Sequence, residues 1–598
     1  MTKLKKLGVT NLIDLALLLP KSYENTFLTQ TPVVGEKNTV LVTVSRVNWT
    51  PKALSLWFFV DTWGEYMSGV VFQAKAYHRA IFRVGEQMYI SAILQSQNAK
   101  LSLMQPIVVQ EINKITPKYK TSLQNKTVVA LMHEYLSIDK LMAEGLNGHE
   151  AELLCSLHFP TPQVAQKYSR TLEGEALRIV KFVEIFNYLK ILQKKKRFFA
   201  PKHMLTGDAE PFVNSLPFKL TSDQKNAIAD IKKDFSSKKA ARRIIMGDVG
   251  SGKTMVILAS VLLCYPQRSI LMAPTTILAN QIFSEAKRFL PLHVRVALVT
   301  NSTSNKLDLN DFDFIIGTHA LLYRSLPQLD LIMIDEQHRF GIAQRELINQ
   351  LSIKEDHYSH FLQFTATPIP RTMSMIQSEL IDFSFIKQTP FEKDIDTRII
   401  HKQDFKNLID HIKAELSLHR QTIVIYPLVN ESENIAYQSI EEGRGFWEKN
   451  FEKVFVTYGA DKNKEEILER FREEGNILIA TTLVEVGISL PRLSTLVIVG
   501  AERLGLASLH QLRGRVSRNG LKGYCFLYTN QKEPKRLEDF STCKDGFEIA
   551  ELDLRCRKSG DVLGGSKQSG EKFVYYGLEE DILTQAKQRL EGLALRDC

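Results

Sequence analysis

The stretch Gly247, Asp248, Val249, Gly250, Ser251, Gly252, Lys253, Thr254 matches the pattern G-x-x-x-x-G-K-[ST] and constrains this chain more than any other feature. It falls between an apolar strand candidate at residues 243–246 and a helical run at 255–263. That is the setting in which such a loop works: glycines let backbone N–H groups wrap a polyphosphate at a helix N-terminus, where the helix dipole favours anions. Lys253 adds positive charge for the β and γ phosphates, and the Thr254 hydroxyl is a ligand for Mg²⁺. An α/β domain that binds ATP and Mg²⁺ is therefore expected.

Such a site needs an acidic residue at the end of a neighbouring strand. Residues 331–334 form an apolar run that ends in Asp335 and Glu336. Asp335 is the candidate to hold the metal, and Glu336 to polarise the attacking water as general base. A third cluster lies far along the chain, at Gln511, Arg513, Arg515 and Arg518. Arg515 and Arg518, three apart, are expected on one helical face. From there they would cross an interlobe cleft to the γ-phosphate and stabilise transition-state charge when the lobes close.

With 598 residues the chain exceeds what one hydrophobic core supports, which predicts several domains. From residue 211 it alternates strand, loop and helix, with strand candidates at 243–246, 269–272, 312–316, 331–334 and 361–364. A second set follows at 422–426, 454–456, 477–480, 495–499 and 524–528, so two α/β lobes with parallel sheets are expected in tandem. Residues 40–112 read instead as five short strands separated by turn residues, a small barrel of OB type. Between them, residues 171–199 carry Ile179, Phe182, Val183, Phe186, Leu189 and Leu192 at helical spacing, which predicts one long helix.

Subtracting 67 acidic from 77 basic side chains leaves a net charge of +10, a balance that suits a polyanionic partner. The six cysteines form no C-x-x-C pair, which excludes a zinc ribbon and suggests a reducing compartment. Asp14 interrupts the apolar stretch at 12–19, against a secretion signal. The run at 255–265 falls short of the roughly 18 residues that a membrane span needs, so a cytoplasmic protein without membrane contact is expected.

Taken in order, several segments resemble the conserved blocks of superfamily 2 helicases. Residues 216–224, with Phe218 and Gln224, resemble the adenine-reading block. Thr275, Thr318, the Thr365–Ala366–Thr367–Pro368 run, the segment with Thr482 and Gly487, and the arginine cluster resemble the following ones. The quartet Asp335, Glu336, Gln337, His338, followed by Arg339, Phe340 and Gly341, is similar to the RecG and Mfd branch. The opening residues 7–14, a barrel ahead of the motor, and the segment 545–554 resemble the RecG family over essentially the whole length.

This resemblance implies an ATP-driven helicase that moves on branched double-stranded DNA, at replication forks and Holliday junctions, in recombination and repair. It implies monomeric action and a single-strand-binding protein as partner. An Mfd-like duplex translocase, or a junction-binding protein gated by ATP without unwinding, is the alternative.

The implied architecture places a wedge domain at residues 1–150 with its barrel at about 38–115, a helical linker at 151–210, motor lobes at 211–390 and 391–535, and a translocation hairpin domain at 536–598. By the same resemblance Gly487 joins the nucleotide site, and Thr275, Thr318 and Thr482 contact DNA phosphates. Phe72 and Tyr77, with Lys75 and Arg79 beside them and Phe82 near, would stack on bases at the branch point. Thr365, Thr367, Arg557 and Gln568 would couple the lobes to DNA movement. Two departures from the family pattern are Ser517 in place of a usual glycine, and Lys558–Ser559 in the hairpin turn.

Overall fold

A computed structural model describes all of the chain except residues 1, 51–52, 98–99, 169–170, 196–198, 304–306, 355–356, 368–373, 377, 379, 392–393, 430–436, 460, 462, 482–489, 518–519, 561–572 and 595–598. It divides into two units, Met1–Ile191 with Glu571–Cys598, and Leu192–Gly570. The first unit is thus built from both ends of the sequence, and the second is inserted into it.

In the first unit, strands β1 (Lys37–Trp49), β2 (Ala53–Val60), β3 (Glu65–Phe72), β4 (Gln87–Gln97) and β5 (Lys100–Val108) close into a barrel in the order β1-β2-β3-β5-β4. Alternation along β2 buries Leu54, Leu56, Phe58 and Val60 and turns Trp57 outward, as a closed barrel of this size requires. Gly69 on β3 is needed where it stands: a Cβ there would lie 2.6 Å from the ring of Phe58.

Helix α1 (Gly174–Lys195) follows the bundle of short helices after the barrel, and the chain division falls within it. One of its faces is taken up by the segment that returns from the far end of the sequence. Arg178 pairs with Asp581 at 2.7 Å, and Lys181 with Glu579 at 2.5 Å. Glu184 accepts the backbone N–H groups of Val574, Tyr575 and Tyr576 at 2.6–2.8 Å, and Tyr188 meets Phe573 edge to face. The spacing of three, three and four residues is that of a single helix face, and the returning chain runs antiparallel to it. The terminal helix Glu580–Ala594 then brings Arg589 to Glu150 at 2.7 Å. Accordingly the boundary expected at residue 150 falls inside the helix Gly148–His158, and residues from 571 group with the first unit instead of with a separate domain from 536.

The second unit holds two parallel sheets. The first, of seven strands among the described residues, comprises β6 (Arg242–Gly247), β7 (Ser269–Met272), β8 (Val296–Val299), β9 (Phe314–Gly317), β10 (Leu331–Asp335), β11 (His360–Thr365) and β12 (Asp382–Ile386), in the order β8-β9-β7-β10-β11-β6-β12. The second, of six, comprises β13 (Ile395–Ile400), β14 (Gln421–Ile425), β15 (Val454–Thr457), β16 (Ile477–Ala480), β17 (Leu493–Val499) and β18 (Gly523–Tyr528), in the order β13-β18-β17-β14-β16-β15. Central strands such as β10 and β14 are buried along their whole length, as expected where helices cover both faces. The same reasoning explains α3 (Lys253–Cys264): every residue from Met255 to Cys264 is buried, so it is a core helix with apolar residues all round.

Candidate nucleotide and DNA site

In a parallel sheet, chemistry gathers at the carboxyl ends of the strands. Here the strand order decides what meets. The loop after β6, Asp335 at the end of β10 and Thr365 at the end of β11 stand side by side, because those three strands are neighbours. Thr275 and Thr318 follow β7 and β9, the next two strands along the same edge.

The phosphate loop takes its shape from Gly250 (φ 79°) and Gly252 (φ 78°), both left-handed, a region that glycine enters without a Cβ penalty. The side chain of Lys253 donates to the carbonyl oxygens of Gly247 at 2.7 Å and Asp248 at 3.2 Å, spanning the loop it belongs to. Thr254 is half-buried at the start of α3. Gln224 sits in the first turn of α2 (Ser222–Phe235), whose capping box it completes with Thr221, and donates to the carbonyl of Ser251 at 2.8 Å. Phe218 is exposed and meets Phe289 edge to face.

Burial, together with the neighbouring Glu336, pushes the Asp335 carboxyl up to about 7, against an opposing pull from Lys253. Among the described residues, Oδ1 of Asp335 is buried without a hydrogen-bond partner. An unmatched carboxylate oxygen beside a phosphate loop is a fit for a divalent cation, with the Thr254 hydroxyl as a second oxygen donor. Glu336 holds a left-handed backbone (φ 50°). Its Oε1 accepts the N–H of Ala366 at 2.7 Å and its Oε2 the hydroxyl of Thr365 at 3.0 Å, which fixes the carboxylate in one orientation.

From the second lobe, α5 (Leu506–Arg513) reaches this edge. Gln511 donates to the Thr367 hydroxyl at 2.8 Å and accepts from the Arg339 guanidinium at 2.8 Å. His510, the residue before it, donates to Asp248 of the phosphate loop at 2.6 Å. Neither Arg339 nor His510 was assigned a role on sequence grounds. Adjacency to the Asp335–Glu336 pair and to Gln511 was the available signal, but their partners are 172 and 262 residues away.

One expectation is corrected: Arg515 does not stand on a helix. Helix α5 ends at Arg513, and Arg515 stands in the turn beyond it. Gly514, which caps the helix, lies against Val249, where a Cβ would stand 2.9 Å from that of Val249. Arg518, Thr482, Gly487 and Gln568 lie outside the described residues. Arg557 belongs to helix α6 (Gly546–Gly560), but its side chain is outside them, as is that of Arg79.

Of the three hydroxyls expected to meet DNA phosphates, the two within the described residues, those of Thr275 and Thr318, already serve as helix caps. Thr275 accepts the N–H of Leu278 at 3.3 Å, and Thr318 that of Ala320 at 3.5 Å. Thr318 is only 2% exposed. On the barrel, Phe72 and Tyr77 are 51% and 56% exposed, whereas Phe82 is buried against Phe58. Tyr77 stacks on His78 with ring centres 4.0 Å apart, and Lys75 stands at the N-terminal cap of their short helix.

Residues 221–376 match the DEAD/DEAH box helicase family, and residues 403–520 the helicase conserved C-terminal domain. The chain is 43% identical over 601 residues to the ATP-dependent DNA helicase RecG of Helicobacter pylori strain ATCC 700392 / 26695, covering 98% of this chain and 96% of that one. It is 32% identical over 656 residues to the ATP-dependent DNA helicase RecG of Aquifex aeolicus, covering 99% and 82%. Among solved structures, RecG bound to a three-way DNA junction superposes with a TM-score of 0.56 at 26% identity, covering 98% of this chain and 83% of that one.

Proposed function

This chain belongs to the RecG family of ATP-dependent DNA helicases, and from that premise we propose how its own residues divide the work. It is an ATP-hydrolysing helicase of branched DNA, built from a barrel and a two-lobed motor. The observation that carries the residue-level reading is the meeting of the phosphate loop, Asp335, Glu336 and Gln511 at one sheet edge, with Gln511 supplied by the second lobe.

Lys253 leaves its loop carbonyls for the β and γ phosphates when ATP enters, and Gln224 and Phe218 face the base. Asp335 and Thr254 hold Mg²⁺, which supplies positive charge for the phosphate oxygens when bound. Glu336, held by Thr365 and Ala366, takes a proton from the attacking water. The path Glu336–Thr365–Thr367–Gln511 links the general base to the second lobe through successive hydrogen bonds, entering Thr367 at its N–H and leaving at its hydroxyl, and Arg339 of the first lobe donates to the same Gln511. Through it hydrolysis and lobe movement become one event, and Arg515, in the turn after α5, meets the γ-phosphate as the lobes close. On the barrel, Phe72 and Tyr77 stack on unpaired bases at the branch and keep the arms apart. The motor contacts duplex phosphates without sequence readout, so binding is steeply salt-dependent. The protein acts as a monomer in the cytoplasm; among the described residues no helix is long and apolar enough to cross a membrane.

The test is ATP turnover without DNA and with linear duplex, single strand or a synthetic four-way junction, read beside strand separation on gels. Turnover stimulated most by the junction, with conversion of its arms, is expected. Tight junction binding with neither would replace this reading by an ATP-gated binding protein.

A further inference from the structure

Helix α5 and the residue that caps it rest on the phosphate loop through two residues one turn apart. His510 donates from Nε2 to Oδ1 of Asp248 at 2.6 Å, with the two side chains 4% and 8% exposed. Four residues on, Gly514 lies against Val249, close enough to exclude any larger residue. The same Asp248 oxygen accepts the N–H of Val249 at 2.6 Å. One carboxylate oxygen therefore joins the first peptide of the loop to the second lobe. Among the described residues, Nδ1 of His510 has no partner, so its hydrogen bonding is spent on the loop alone.

A phosphate-binding loop works only when its N–H groups converge, and this one contains two left-handed glycines that on their own leave it many alternatives. A buried, charge-assisted hydrogen bond at its first residue removes much of that freedom before the ligand arrives, which raises affinity through preorganisation. We propose that His510 is a positioning residue for ATP: from the second lobe it fixes Asp248, and through Asp248 the entry to the phosphate loop, so that nucleotide affinity depends on the second lobe being docked. This rests on the phosphate-loop reading above. His510 touches no phosphate and acts through Asp248. The contact is distinct from that of Gln511, which runs to the Thr367 and Arg339 side of the cleft.

The experiment uses the full chain and measures equilibrium binding of a fluorescent ATP analogue together with the steady-state KM and kcat for ATP. Loss of a hydrogen bond to a charged partner predicts that His510→Ala raises both Kd and KM about tenfold. The kcat is expected to stay within about twofold, because the contact is made equally before and during reaction. His510→Gln, whose amide can still donate to the carboxylate, restores most of the affinity. Asp248→Asn weakens binding, and combining it with His510→Ala adds little, as expected of two ends of one contact.

Wild-type affinity in His510→Ala overturns the inference. So do equal losses in the Ala and Gln variants, additive losses in the double variant, or a fall in kcat at unchanged KM. Should His510→Ala not fold, the Gln variant against Asp248→Asn carries the same comparison. A wild-type chain that binds no analogue refutes the phosphate-loop reading itself and the inference with it, a result separable from all of these.

Discussion

The hydroxyl of Thr365 donates to Oε2 of Glu336 across 3.0 Å, while the N–H of Ala366 holds the other carboxylate oxygen. The general base is thus oriented by the strand next to its own, and the same Thr365 hydroxyl oxygen accepts the N–H of Thr367, the residue that meets Gln511. A group that steers the base is also the first link toward the second lobe.

Glu336→Gln is expected to lower ATP turnover by at least about 10²-fold while leaving ATP binding intact, since positioned proton transfer contributes roughly 10²- to 10⁴-fold. Phosphate release at saturating ATP and a binding titration on the same preparation check it. Near-normal turnover would remove Glu336 from the base role.

Thr367→Ala should leave hydrolysis without DNA nearly unchanged and reduce the stimulation by a junction, because it cuts the path to Gln511 without touching Glu336. The readout is the ratio of junction-stimulated to basal turnover. A ratio equal to that of the wild type would rule out this path as the route of coupling.

Replacing the exposed pair Phe72 and Tyr77 by Ala is expected to weaken fork binding by roughly 1–3 kcal/mol per base unstacked while the melting temperature stays put. Phe82→Ala should behave in the opposite manner, since its ring is core: a loss of about 3–5 kcal/mol in barrel stability. Fork affinity and thermal melting of the three variants separate the cases.

Burial drives the imidazole of His158 down to about 4, and its neutral form suits its partners. Nε2 donates to the carbonyl of Ala16 at 2.8 Å, which leaves Nδ1 to accept from the Tyr119 hydroxyl at 2.8 Å. With the folded-state value below the ordinary one of 6.5, the unfolded chain binds the extra proton first. This contribution is complete above about pH 6.5 and is lost as the pH falls toward 4, amounting to about 3 kcal/mol across that window. Urea unfolding of the wild type and His158→Gln between pH 4 and 7 tests it, with a flatter profile for the variant.

Ser517 holds φ 63°, and its buried hydroxyl oxygen has no partner among the described residues. Ser517→Gly is therefore expected to stabilise the second lobe by about 1 kcal/mol, since a left-handed backbone costs a residue with a Cβ roughly that much. An upward shift of the urea midpoint is the signature. A downward shift would mean that the serine has a role that offsets its strain.

Much of the motor was legible because buried parallel strands leave apolar runs. The reading at 269–272 coincides with β7, that at 477–480 with β16, and 331–334 stops one residue short of the end of β10. The three strands that were missed, β8, β12 and β13, are all at sheet edges; in β12 and β13 polar residues such as Asp382 and Arg398 break the apolar run, whereas β8 is apolar throughout and shows no such break. The loop and the Asp335–Glu336 pair announced themselves by local pattern. The contact of Gly514 with Val249 did not, because no spacing within the arginine cluster encodes a contact with the other lobe. Phe82 looked like Phe72 in sequence, and only closure of the barrel sorts one inward and the other outward.

The grip of α1 on the returning chain bears on how the protein is made. Glu184 leaves the ribosome early, yet the N–H groups that it accepts belong to residues 574–576, and the Arg589 that pairs with Glu150 comes later still. During synthesis the first unit therefore waits, with part of its helical surface uncovered and these carboxylates unmatched, while the whole motor is translated and folds. Its completion has to await residues 573–594, and a chain cut short before residue 573 would leave the face of α1 and the carboxylate of Glu150 without these partners.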